Sequence, residues 1–69
     1  MYRYYYITFG QESPFREGWI RVHSLSEQLA REWASQYPHW CGTYPEASFF
    51  GEGICNSFPA GQIGKVVEL

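Results

Sequence analysis

The side chains with the most reactive chemistry are His23, His39, Cys41 and Cys55. As a set they have the composition of a Cys2His2 zinc site, and His39-x-Cys41 on a strand would point both ligands to one side. The spacing argues against zinc, because its sites are built from paired, closely spaced ligands. A disulfide between Cys41 and Cys55 would close a loop of about 15 residues, worth ~3 kcal/mol from chain entropy. In a reducing cytosol that bond does not persist, so two buried or idle thiols are expected. A nucleophilic Cys41 beside His39 would also need an oriented base and an oxyanion site, and the sequence marks neither. Gly61-Gln62-Ile63-Gly64-Lys65 lacks the four-residue gap of a phosphate loop and the hydroxyl residue after its Lys. It reads as a turn into a strand. The acids are all Glu, seven of them, and they are not clustered as a metal-dependent nuclease would require. The reading is a non-enzyme, with no cofactor and no metal.

Charge and length narrow the class further. Five basic residues, Arg3, Arg16, Arg21, Arg31 and Lys65, are scattered through an acidic chain of net charge −2. A domain that lives on phosphate contacts carries a basic patch, and this one has none. The Glu residues are equally too sparse for dense mimicry of DNA. No apolar run approaches the ~18–20 residues that cross a bilayer. The opening Met1-Tyr2-Arg3-Tyr4-Tyr5-Tyr6 is aromatic rather than basic then apolar, so no secretory signal is expected and the cytoplasm is. Sixty-nine residues make one domain, 1–69, with a small core.

Residues 2–9 are nearly all β-formers and predict a strand that ends at Gly10. After a loop containing Pro14, Trp19 to His23 predicts a second strand, antiparallel to the first. Ser24 and Glu27 fit a capping box, with a helix over 25–36 stopped by Pro38. Leu29, Ala30, Trp33, Ala34 and Tyr37 form its apolar stripe. Residues 40–44 read as a third strand weakened by Gly42, and 45–48 as a short helical turn. Residues 51–61 read as loop and 63–69 as a last strand near an edge. The expected fold is α+β: an antiparallel or mixed sheet of about four strands (β-β-α-β-β), with one helix packed on one face.

Three Trp, six Tyr and five Phe are many for so small a core. Period-2 alternation places Tyr5, Ile7, Phe9, Ile20 and Val22 under the helix. It turns Tyr2, Tyr4, Tyr6, Trp19, Arg21 and His23 to a face that a single helix cannot also cover. Two uses of that face stand level. Loop 45–61, with Phe49, Phe50 and Phe58, folds over it as a second core, or the aromatics bind a partner protein or a second copy. Stacking of single-stranded nucleic acid comes third, because no Lys or Arg run flanks the rings to hold phosphates.

Tyr4-Tyr5-Tyr6-Ile7-Thr8-Phe9-Gly10-Gln11, Gly18-Trp19-Ile20, Ala30-Arg31, Trp40 and Phe58-Pro59-Ala60-Gly61-Gln62-Ile63-Gly64 together resemble a set of small phage and prophage accessory proteins. The sequence departs from that pattern at Cys41-Gly42-Thr43, where bulkier apolar residues stand, and over 51–57. Compact acidic proteins of this kind resemble anti-CRISPR and other anti-defence inhibitors in general character. The resemblance implies a stoichiometric inhibitor of a host defence complex, a CRISPR–Cas effector above all, that blocks nucleic-acid recognition by protein–protein contact. Tyr2, Tyr4, Tyr6, Trp19, Arg21 and His23 would anchor it, and Glu12, Glu17, Glu46 and Glu52 would meet basic surfaces of the partner. The alternatives are a single-stranded nucleic-acid-binding accessory protein and a structural homodimer module. Each predicts a different occupant for the same face.

Overall fold

A computed structural model describes residues 1–10, 18–58 and 66–69. Strands β1 (Arg3–Phe9), β2 (Trp19–Ser24), β3 (Trp40–Pro45) and β4 (Val66–Glu68) are joined by helices α1 (Glu27–Ala34) and α2 (Glu46–Gly51), with a 3-10 turn at Ile54–Ser57. They form one four-stranded sheet of order β3-β1-β2-β4. β1 is antiparallel to β2 and β3, while β4 is parallel to β2, so the sheet is mixed and the class is α+β. The expected loop 11–18 and the start of the last strand fall largely on 11–17 and 63–65, outside the described residues.

Strand direction explains why both faces carry cover. β2, β3 and β4 all run opposite to β1, and same-direction strands cannot be joined by a hairpin. The chain must cross the sheet between β2 and β3, and again between β3 at one edge and β4 at the other. α1 makes the first crossing. Phe49 of α2, with Ile54, Cys55 and Phe58, packs on Tyr6, Trp19 and Tyr44 along the second, on the opposite face. Helix α1 thus covers one face as expected, and part of the other is covered through Phe49 of α2 and through Ile54, Cys55 and Phe58.

Beneath α1 lies the larger core of Tyr5, Ile7, Phe9, Ile20, Val22, Ala30 and Ala34, with Trp33, Tyr37, Trp40 and Val67 packed at its edge. Ala30 and Ala34 let the helix axis approach the strands closely, and the larger Trp33 and Tyr37 fill the flank edge to face at 5.1 Å. Leu29 is the exception in the expected stripe. It is exposed, one residue short of the Ala30–Ala34 line.

The helix also starts later than the capping-box spacing suggests. Ser24 is buried as the last residue of β2, where its hydroxyl donates to the Ser26 carbonyl at 2.8 Å. Ser26 is the residue that caps α1: its backbone is extended and its Oγ accepts from Leu29 N–H at 3.2 Å. Strand pairing at Arg3↔Ser24 outcompetes the earlier cap. Ser26→Ala should cost about 1 kcal/mol, read as a lower urea midpoint with an unchanged slope.

Gly42, which weakens β3 as a sequence, has a reason in the fold. A Cβ there would stand 2.7 Å from Tyr44 Oη, so the Tyr44 ring folds back over the bare backbone. That brings Tyr44 toward Phe49, with ring centroids 6.1 Å apart.

Candidate functional site

The face opposite α1 divides into a covered end and an open end. At the covered end Tyr6 is 1 % and Trp19 5 % exposed. Phe49 stacks on Tyr6 at 4.8 Å, nearly parallel at 3°, and Trp19 meets both rings edge-on at 5.2 and 4.9 Å. Tyr6 and Trp19 are thus core residues, which corrects the expectation that they present a binding surface. The cause is Phe49, which fills the space in front of them.

At the open end Tyr2 is 52 % and Tyr4 36 % exposed, and Arg21 and His23 are half-buried. Register makes these residues neighbours: Tyr4 lies opposite His23, and Tyr6 opposite Arg21. The side chains interleave. His23 sits 5.2 Å from the Tyr2 ring and stacks on Tyr4 at 4.7 Å and 26°. Arg21 Cζ follows at 5.2 Å from the Tyr4 centroid and 5.9 Å from that of Tyr6. A guanidinium over a ring gains roughly 0.5–2 kcal/mol, more as water is excluded. The ladder is therefore held in place by its own contacts.

Its polar side chains are unequal in their satisfaction. His23 Nδ1 is 2.8 Å from Glu68 Oε2, and Leu69 N–H donates to the His23 carbonyl at 2.9 Å, so the ladder also anchors the end of β4. Arg21 has no carboxylate partner among the described residues, and its buried Nε finds no hydrogen-bond acceptor. Beside the ladder, Tyr2, Arg3, Tyr4, Tyr5, Pro45, Glu46 and Ala47 line a cavity of about 390 Å³.

Glu46 links the two ends. Tyr6 Oη donates to Glu46 Oε1 at 2.9 Å. Burial above all, and then this hydrogen bond, push the Tyr6 phenol up to about 12, against the pull of the Arg21 guanidinium. Its folded value thus lies above the ordinary 10.0. The folded state keeps this proton longer than the unfolded one, so stability is full below pH ~10 and falls as pH rises through ~12. The loss is on the order of 3 kcal/mol. Urea unfolding followed from neutral to alkaline pH should show it, and Tyr6→Phe should flatten that dependence.

The remaining expected site residues scatter. Glu46 and Glu52 are exposed, at the start of α2 and just past its end. Glu12 and Glu17 lie outside the described residues. Cys41 and Cys55 are free thiols, one exposed and one half-buried. His39 precedes β3 with φ 69°, so it does not share a strand face with Cys41 as the alternation suggested. Among the described residues no three His, Cys, Asp or Glu side chains gather to hold a metal, and no helix is long and apolar enough to cross a membrane. Sequence reasoning missed Arg3, Tyr5, Pro45 and Ala47 as cavity lining. The available signal was Pro45, a residue that ends strand pairing.

Comparison with protein-family models, curated proteins and solved structures returns no match.

Proposed function

We propose that the protein is a stoichiometric binding protein that seats the open end of its sheet face on a partner protein. The observation that carries this is the exposed Tyr2–His23–Tyr4–Arg21 ladder, continuous with a buried aromatic core. Tyr and Arg are the residue types that dominate interface energetics. Rings already fixed by stacking lose little further freedom on binding. Nucleic acid is disfavoured as the occupant because the ladder offers one guanidinium and no flanking basic run.

The similarity to small phage accessory proteins supports a host defence complex as the partner, a CRISPR–Cas effector first among them, in the host-cell cytoplasm. There the protein acts by occlusion, covering a surface that the effector needs for nucleic-acid recognition. The exposed Glu46 and Glu52 assist the encounter with basic regions of such a complex. The test is an interference assay in bacterial strains that each carry one CRISPR–Cas type directed at the same phage. Expression should restore plaques in at least one strain, and failure across all of them would refute the inhibitor assignment.

A further inference from the structure

β1 outruns β3 at its N-terminal end. Its pairing with β2 starts at Arg3↔Ser24, whereas its pairing with β3 starts only at Tyr5↔Pro45. Pro45 has no N–H to extend the ladder, and the chain turns into α2 immediately after it. Phe9 N–H donates to Gly18 O on the β2 side, and Gly10 N–H to His39 O on the β3 side. Backbone groups alternate along an antiparallel strand, so Tyr4 turns its own toward the β3 side, at the point where β3 ends. Among the described residues no strand lies beside it.

The cavity of about 390 Å³ occupies this notch. Tyr2 and Tyr4, both exposed, line it together with Arg3. Of the cations Arg3, Arg21 and Arg31 in the described residues, only Arg31 has a carboxylate, that of Glu27. The nearby acids are engaged, Glu46 by Tyr6 Oη and Glu68 by His23. Among the described residues Arg3 thus has no carboxylate partner, and it lines the notch where β1 outruns β3.

We infer that this notch takes an extended acidic segment of a partner protein, which adds beside Arg3 and Tyr4 in line with β3 and sets a carboxylate on Arg3. The inference rests on the protein-contact reading above and narrows it to strand addition. Main-chain hydrogen bonds supply affinity in this mode, and side-chain pockets supply selection. About two extended residues, spanning ~7 Å, fill such an overhang.

The experiment is an amide NMR titration of the whole protein with three probes. They are the blocked peptide Thr-Val-Asp-Val-Thr, the same peptide with Lys for Asp, and the Asp peptide N-methylated at alternate amides. The Asp peptide should shift the amides of Arg3, Tyr4, Glu46 and Ala47. The Lys peptide should bind at least ~10-fold more weakly, and Arg3→Glu should reverse the order. N-methylation should abolish the shifts, because strand addition needs those donors. Equal binding of the Asp and Lys peptides, retained binding after N-methylation, or no shift at these amides up to ~5 mM would each overturn the inference. So would concentration-dependent shifts of the same amides without peptide, which would assign the edge to a second copy. The titration needs no host protein, so peptide binding without any inhibition would refute only the assignment to a defence complex. Inhibition that survives Arg3→Glu, with no peptide shifts, would refute only the notch.

Discussion

Phe49→Ala should cost on the order of 3–5 kcal/mol, as truncation of a fully buried Phe does. For a chain of this length total stability is roughly 3–10 kcal/mol, so the variant should be near or past its folding limit at room temperature. Phe49 is fully buried and contacts Tyr6, Trp19, Tyr44 and Phe50, which makes it the central residue of the second core. Removing it leaves a cavity that the six-residue α2 is too short to collapse into while keeping its place. Phe50 is the internal control. Its ring also meets Tyr6 and Trp19 edge-on, but it is exposed, and Phe50→Ala should cost about 1 kcal/mol. Urea unfolding followed by tryptophan fluorescence separates the two. Equal midpoints would mean that α2 does not seal the face.

Tyr4→Ala combined with Arg21→Ala should weaken partner binding roughly 100- to 1,000-fold, about 3–4 kcal/mol, because both members of a stacked anchor are lost. Stability should fall far less than in Phe49→Ala, since Tyr4 is partly exposed and Arg21 half-buried. The single variants should not add. Removing Tyr4 takes away a ring over the Arg21 guanidinium, so a double-mutant cycle should reveal coupling between them. Leu29→Ala, on the exposed side of α1 across the sheet, should leave binding unchanged. A folded double variant that still restores plaques at full efficiency would refute the ladder as the binding surface.

Local pattern carried much of this fold. Alternation assigned Tyr5, Ile7, Phe9, Ile20 and Val22 to the face under α1, and the same set forms the larger core. It also placed Tyr2, Tyr4, Tyr6, Trp19, Arg21 and His23 together on the other face, which the register of β1 and β2 reproduces. Longer-range facts were out of reach. Nothing local says that β4 runs parallel to β2, and that direction sends residues after Pro45 back across the sheet. The cover weighed for the face forms at one end only: Phe49 covers Tyr6 and Trp19, and the cover stops short of Tyr2 and Tyr4. The cavity was illegible for a related reason, since it depends on how far one strand outruns another. The helix start shows the reverse case, a legible local signal at Ser24 overridden by strand pairing.

The most direct measurement is hydroxyl-radical footprinting, on the protein alone and on its complex with the effector that the interference assay selects. Alone, Tyr2 and Tyr4 should be modified while Tyr6 and Trp19 are protected, as their burial requires. In the complex Tyr2 and Tyr4 should become protected as well. If they stay as reactive in the complex as in the free protein, the partner binds elsewhere and the open end of the sheet is not the site.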